Sequence, residues 1–229
     1  GLFFNNFLIS GLGGDIFRMV DIRRYAKDST AAVSTVFLDR AMGLFVMSTF
    51  AVFSAPWIIS HLSVGKHLQG PLFILMGCWI LIALFLFNHQ FNRPFVWLIR
   101  KIMPKQIYAK GSDIYYQVHE FGKNWKLVLT VFAISVFVQG TRILTHYVLA
   151  LSLGLQVPPV YFFLFVPIIA IMAALPISMG GLGIREQTGV LLFAAIGIAE
   201  PHAVSIEFMA YLVAVVTSLP GGMVFILRR

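Results

Sequence analysis

The chain has 229 residues, of which 59% are hydrophobic and 11% charged, and its mean hydropathy is +0.88. Soluble domains carry roughly 25% charged residues, so the composition excludes a water-exposed globule, and the lone Cys78 excludes a disulfide scaffold. The net charge of +8 would suggest nucleic acid in a soluble protein, but in a membrane protein it indicates basic cytoplasmic loops. We therefore predict an all-α polytopic integral membrane protein with no nucleic acid partner.

We interpret residues 1–229 as a single membrane domain. Its opening, Gly1-Leu2-Phe3-Phe4, has neither Met nor the basic start of a signal peptide, so we expect further helices before residue 1. Residues 1–40 contain a glycine break and a basic segment, 41–89 two spans, 90–126 an amphipathic segment, and 127–229 the remaining spans.

Four stretches are long and apolar enough to cross the roughly 30 Å of bilayer hydrocarbon, which takes about 20 residues. They are residues 41–60, 72–87 (extended by Asn88 and His89), 127–153 and 208–227. Residues 160–175 are also uncharged but run into Pro176, and the apolar stretch 187–199 is too short to span at about 1.5 Å per residue.

Basic residues predict the orientation of these spans. Lys and Arg cluster in residues 18–40 and 93–126 and at Arg228-Arg229, whereas the linker 61–70 holds only Lys66. The positive-inside rule makes the three basic segments, and with them the C-terminus, cytoplasmic. The third span then ends outside near Gly154 and the last runs inward, so we expect residues 160–199 to form a re-entrant hairpin entered from outside and broken at 176–183.

An amphipathic helix is predicted within residues 93–126. Ile114, Val118, Phe121 and Trp125 share one helical face. With nearby lysines and with Trp97 and Trp125 as anchors, this helix would lie on the cytoplasmic membrane surface. A plain solvated loop is the alternative.

Two glycine-rich breaks resemble each other: LISGLGGD at residues 8–15 and PISMGGLG at residues 176–183, each followed by charged residues. Irregular backbone is tolerated inside a membrane only where it is buried or lines a wet cavity. We therefore predict two opposed re-entrant hairpins, as in an inverted-repeat transporter, whose helix N-termini suit an anion. Two packing corners without a ligand are the alternative.

These segments also resemble a known family. Asn5-Asn6, Gly13-Gly14-Asp15 with Arg18, Asp39-Arg40 and the motif Pro-x-Ser-x-Gly-Gly-Leu-Gly-x-Arg-Glu at residues 176–186 resemble the flippase-like transmembrane region of lysylphosphatidylglycerol synthases, which has free-standing relatives in bacteria and archaea. The resemblance implies a protein of a prokaryotic cytoplasmic membrane that moves lipids with polar or charged headgroups between leaflets. The soluble aminoacyl-transfer domain of the synthases has no counterpart here, so synthase activity is not implied.

A polar stripe crosses the third span, because Ser135, Gln139, Arg142 and His146 fall on one helical face. A charge inside a span costs about 2.5–3.5 kcal/mol on insertion scales, which makes Arg142 a functional candidate. It would bind a lipid phosphate in a cavity, or alternatively form a structural ion pair with Glu186 or Asp15.

The candidate substrate-binding residues lie on this stripe and at the two breaks: Arg142, Arg185, Glu186, Asp15, Arg18, Gln139, His146, Ser178, Gly180, Gly181 and Gly183. Glu186 would serve equally as a helix cap. Asp15 or Glu186 would carry the proton if transport were proton-coupled. Glu207, near the outer end of the last span, is interpreted as an interfacial carboxylate.

We predict no catalytic residue, metal site or cofactor. The six histidines are scattered, and the glycine clusters lack the lysine of a phosphate-binding loop. The predicted function is therefore a lipid translocase. Its partners would be membrane lipids, namely an anionic or aminoacylated phospholipid, a glycolipid or a polyprenyl lipid, and a homo-oligomer is compatible with this interpretation. The alternatives are an intramembrane enzyme using Arg142, His146 and Glu186 on a headgroup, and an accessory subunit of a lipid-modifying complex.

Overall fold

The computed structural model describes residues 3, 12–26, 29–61, 70, 74, 77, 79–81, 105–174, 178 and 181–227. The regular elements within these ranges are all α-helices: α1 (Leu12–Ala26), α2 (Ser29–His61), α3 (Lys105–Lys123), α4 (Trp125–Ser152), α5 (Val160–Ala173), α6 (Ile184–Ala194) and α7 (Glu200–Leu227). The predicted all-α class is confirmed.

Within the described ranges, three helices are long and apolar enough to cross a membrane: Thr30–His61, Trp125–Ser152 and Glu200–Phe225. They contain the spans predicted at 41–60, 127–153 and 208–227, apart from the last one or two residues of the latter two. Two of them begin well before the apolar stretch, since backbone hydrogen bonding continues into flanking polar residues. The span predicted at 72–87 lies almost wholly outside the described residues.

Two shorter helices, α5 and α6, pack against each other. They have 14 and 11 residues, which at about 1.5 Å per residue is roughly 21 and 17 Å. Neither reaches across the roughly 30 Å of a bilayer's hydrocarbon core.

The core is built around α5, which packs on α2, α4 and α6. Phe162 and Phe165 of α5 are fully buried and hold Phe193 of α6 between them, with ring centroids 5.6 and 5.4 Å apart. Offset and edge-on ring packing of this kind is favourable beyond the area it buries. The short helix α6 is therefore anchored to α5 by aromatic contacts rather than by its own length.

The outer surfaces of α4 and α7 are apolar. Large side chains such as Phe137 and Val148 on α4 and Val216 and Met223 on α7 are exposed. An exposed apolar surface this extended is unfavourable in water but suits lipid contact. The surface pattern therefore agrees with the hydropathy in making this an integral membrane protein.

The amphipathic helix predicted within residues 93–126 is present as α3. It packs on α2 and α4, with Val118 buried and Ile114 and Phe121 half-buried. Trp125 was predicted to continue this face, which is wrong. Asn124 interrupts the helix and caps α4 by accepting the N–H of Leu127 at 3.2 Å, so Trp125 begins the next helix and is exposed. Trp97 lies outside the described residues.

The exposed side of α3 carries an ion pair between Glu120 and Lys123. The Lys123 ammonium donates to Oε1 of Glu120 at 2.5 Å. This hydrogen bond and the lysine charge lower the pKa of the Glu120 carboxyl from its usual value. Such a pair fits the polar face of a helix that lies along a surface.

Candidate functional site

The polar stripe on α4 is divided between two neighbouring helices. Gln139 lies against α2, where a Cβ on Gly43 would come within 2.9 Å of its Nε2 atom. Arg142 is exposed and His146 is buried. The small residue at position 43 thus lets α2 approach the amide side chain closely, and His146, one turn after Arg142, faces α7.

His146 is held by two contacts. Its Nδ1 lies 2.9 Å from the carbonyl oxygen of Arg142. Its Nε2 lies 3.7 Å from Oε2 of Glu207 on α7. The imidazole therefore bridges the backbone of its own helix to a carboxylate of another.

Glu207 is buried at 1% exposure between neighbouring helices, and its position at the membrane interface stays a prediction. Helix α7 begins at Glu200, about two turns earlier than the apolar stretch, which places Glu207 inside the helix facing α4 and α6. Gly189 of α6 provides the space, because a Cβ there would lie 2.8 Å from Cγ of Glu207. Oε1 of Glu207 has no hydrogen-bond partner among the described residues.

The charged groups that act on the Arg142 guanidinium are Arg185 and Glu207. Arg185 is half-buried, and its Cζ lies 5.5 Å from the ring centroid of Tyr211, a cation–π contact that favours the charge. Two arginines beside one buried carboxylate are an arrangement that favours an anion.

Glu186 caps helix α6. Its Oε2 accepts the backbone N–H of Gly183 at 2.6 Å, and Gly183 has φ +83°, a conformation that side-chain-bearing residues rarely adopt. The predicted alternative role of Glu186 as a cap is thus observed. Its carboxylate is engaged with its own helix start rather than paired with Arg142.

Asp15 and Arg18 form two ion pairs between α1 and α2. Asp15 is buried and pairs with Nε of Arg40, while Nη1 of Arg18 donates to Oδ2 of Asp39 at 2.7 Å. The structural ion pair predicted for Arg142 with Asp15 or Glu186 is therefore wrong in the described part of the chain. Asp15 is already neutralised by α2.

The second break is described at Ser178 and from Gly181 onward, and Gly180 lies outside the described residues. Gly181 has φ +77°, and a Cβ there would come within 2.7 Å of Cβ of Ala173. Only glycine fits this approach of the break to the end of α5. Oγ of Ser178 is buried without a hydrogen-bond partner in the described structure.

The structure separates the predicted candidates into two groups. His146 contacts Glu207, and Arg185 and Glu207 act on the charge of Arg142, whereas Asp15 and Arg18 belong to the α1–α2 contact. The sequence signal for Glu207 was its charge within a helical stretch. Nothing in the sequence singled out Gly189. No group of three His, Cys, Asp or Glu residues that could hold a metal ion occurs in the ranges that the structure covers.

Comparison with protein families gives one match over nearly the whole chain. The family described as the lysylphosphatidylglycerol synthase TM region matches residues 1–223. No curated protein and no solved structure matches the chain.

Proposed function

Because the chain belongs to the family of lysylphosphatidylglycerol synthase transmembrane regions, we propose that it is a lipid translocase. It moves a lipid with an anionic or otherwise charged headgroup between the leaflets of a prokaryotic cytoplasmic membrane. The family links this integral membrane protein to lipid metabolism. The translocase activity rests on the charges gathered between α4, α6 and α7.

The proposal rests on two arginines whose charges act on each other, Arg142 within the α4 span and Arg185 at the start of α6. A guanidinium inside a membrane is costly, and a second one nearby adds repulsion. A phosphodiester has several oxygens that accept hydrogen bonds from both guanidinium groups. Its negative charge offsets the cost of placing a guanidinium in the membrane and the repulsion between the two. We therefore assign the headgroup phosphate to these two arginines, while the acyl chains stay in the lipid.

A re-entrant hairpin of α5 and α6 would bring the headgroup to mid-membrane. Both helices are too short to span and pack side by side, and Arg185 lies in the first turn of α6, just after the break. The free N–H groups of a helix start add to the attraction for an anion.

The first glycine segment would form the opposed hairpin of an inverted repeat. The first segment and the helix α1 that follows it contact the C-terminal end of α7. A Cβ on Gly222 of α7 would lie 3.0 Å from the ring of Phe3, and Phe17 packs edge-on against Phe225 with ring centroids 5.6 Å apart. The second segment meets α7 at Tyr211, eleven residues before Gly222. At about 1.5 Å per residue these levels are roughly 17 Å apart, which supports hairpins entering from opposite sides. Residues 4–11 lie outside the described structure.

The test is leaflet exchange in phosphatidylcholine vesicles that carry a trace of fluorescent phosphatidylglycerol, followed by dithionite quenching of the outer leaflet. Arg142→Gln and Arg185→Gln should each slow exchange about tenfold or more, since a hydrogen bond to a charged group contributes about 1.5–3 kcal/mol. Lys126→Gln, which removes an exposed charge from the start of the same helix α4, should exchange at the wild-type rate.

Wild-type exchange rates in both arginine variants would refute the translocase site. Mass spectra of the same vesicle lipids distinguish the enzymatic alternative, because a headgroup-modifying enzyme would generate a lipid of changed mass. An unchanged lipid that still crosses between leaflets supports the translocase.

A further inference from the structure

We propose that His146 and Glu207 form a proton-binding site that takes up one proton when an anionic headgroup binds beside Arg142 and Arg185. The anion and the proton would then be carried together. This inference rests on the proposed anion site, but the proton site itself stands on the contacts of the two side chains.

The hydrogen bond of the imidazole determines where its proton lies. A carbonyl oxygen can only accept, so Nδ1 of His146 donates to the carbonyl of Arg142 at 2.9 Å. In the neutral ring Nε2 then carries a lone pair and no proton, and it lies 3.7 Å from Oε2 of Glu207. A lone pair facing a carboxylate is repulsive. One additional proton, on either Nε2 or Oε2, turns this contact into an attraction.

Burial makes that proton significant. Glu207 is 1% exposed and His146 7% exposed, and Oε1 of Glu207 has no donor in the described structure. A buried carboxylate without donors is expensive when charged. A proton on the His146–Glu207 pair therefore removes the cost of a buried carboxylate charge that solvent does not reach.

Titratable and charged groups also lie on the helices around the pair. They include Arg142 and Tyr147 on α4, Arg185 and Glu186 on α6, Tyr161 on α5, Glu200, His202 and Tyr211 on α7, and Asp113, His119, Glu120 and Lys123 on α3. Residues 41–60 of α2, which packs on α4, contain none. Tyr147 turns toward Phe162 at 5.7 Å between ring centroids, and Glu186 is engaged with Gly183. The arginines are thus the charges that link the pair to a bound anion.

Charge balance couples the two binding events. A phosphodiester bound beside Arg142 and Arg185 brings a second negative charge near the carboxylate of Glu207. Two negative charges repel each other strongly in an apolar surrounding. Uptake of one proton by the His146–Glu207 pair removes that repulsion. Anion binding and protonation therefore favour each other, and by linkage one proton corresponds to about tenfold tighter anion binding for each pH unit lowered.

Calorimetric titration of the detergent-solubilised protein tests this coupling. The probe is dihexanoylphosphatidylglycerol, whose phosphodiester keeps its negative charge near neutral pH. It is added in two buffers of different ionisation enthalpy, so that the difference in heat gives the number of protons taken up. The wild type should take up close to one proton per probe bound. Glu207→Gln, a neutral isostere of the protonated acid, should bind the probe without proton uptake and without pH dependence.

Glu200→Gln is the matched control, because Glu200 is an exposed acid in the first turn of the same helix. It should take up the proton as the wild type does. Probe binding without proton uptake in the wild type, or unchanged uptake in Glu207→Gln, would overturn the coupling.

Infrared titration of the protein alone separates this inference from the proposed function. A carboxylic acid band or imidazolium band that titrates with pH in the wild type and is lost in Glu207→Gln or His146→Gln supports the proton site, even if the probe fails to bind. Failure of the wild type to bind the probe refutes the anion site and the coupling. Absence of any titrating band refutes the proton site as well.

Discussion

At the residue scale, small side chains decide where the polar groups lie. Glu207 occupies its buried position only because residue 189 of α6 has no side chain, and Gln139 fits against α2 because residue 43 is glycine. In a membrane, where lipid is as apolar as leucine, such small residues allow the close helix approach on which association depends. The geometry of the charged cluster therefore depends on residues that carry no charge.

Gly189→Ala tests this dependence. The new Cβ would lie 2.8 Å from Cγ of Glu207 and 3.6 Å from its Cδ, so the buried carboxylate must move. We expect a loss of about 1–3 kcal/mol in stability from overpacking, measured as a lower midpoint of thermal unfolding in detergent. Gly140→Ala is the control, because a Cβ at this position of α4 meets nothing within 4 Å. A midpoint for Gly189→Ala equal to that of Gly140→Ala would contradict the packing explanation.

At the element scale, α1 is fastened to α2 by crossed ion pairs. Asp15 and Arg18, one turn apart on α1, meet Arg40 and Asp39 in reverse order. The two bonds are unequal, because the Asp15 side chain is 6% exposed, whereas the Asp39 side chain is 60% exposed. Exposed pairs contribute about 0.2–1 kcal/mol, so the buried bond should dominate the docking of α1.

Hydrogen–deuterium exchange of the α1 amides measures that difference. Asp15→Asn should speed exchange by the equivalent of about 1.5–3 kcal/mol, the contribution of a hydrogen bond to a charged group. Asp39→Asn, the matched removal of the exposed partner, should change exchange little. Equal effects of the two variants would show that burial of Asp15 does not determine the strength of the contact.

At the scale of the whole molecule, the two short helices pack among the long ones: α5 packs on α2 and α4, and α6 packs on α5 and α7. The short helices are held by aromatic contacts in the core and by glycine turns at Gly181 and Gly183. This arrangement places Arg185, at the start of α6, against α7, where its guanidinium lies over the ring of Tyr211. The proposed re-entrant hairpin is the interpretation of these lengths in a bilayer.

Cysteine labelling tests the hairpin. In a Cys78→Ser background, Gln156→Cys before α5 and Ala199→Cys before α7 replace exposed residues at the two ends of the hairpin. Both should react with a membrane-impermeant maleimide from the external face of intact cells. Asn124→Cys, before α4, should react only after permeabilisation, since α4 spans between it and Gln156. Labelling of positions 156 and 199 from opposite faces would exclude a re-entrant hairpin.

Much of the architecture follows from composition and periodicity. The membrane location, the spans within α2, α4 and α7, the helix α3 and the family could be predicted, because each depends on local hydropathy or on a short motif. Helix starts were less predictable. Helix α7 begins before its apolar stretch, so Glu207 lies within the helix, where the packing of its neighbours buries it.

The sequence by itself thus determined that scarce charges lie within a membrane protein and that Arg142 and Arg185 stand near broken or polar helical segments. Only the tertiary structure decided which charges meet. It paired Asp15 with Arg40, engaged Glu186 at its own helix start and brought Glu207 to His146. The physical reason is that an ion pair between helices depends on their packing and on the space that glycines leave, and neither quantity is encoded in the spacing of charges along one chain segment.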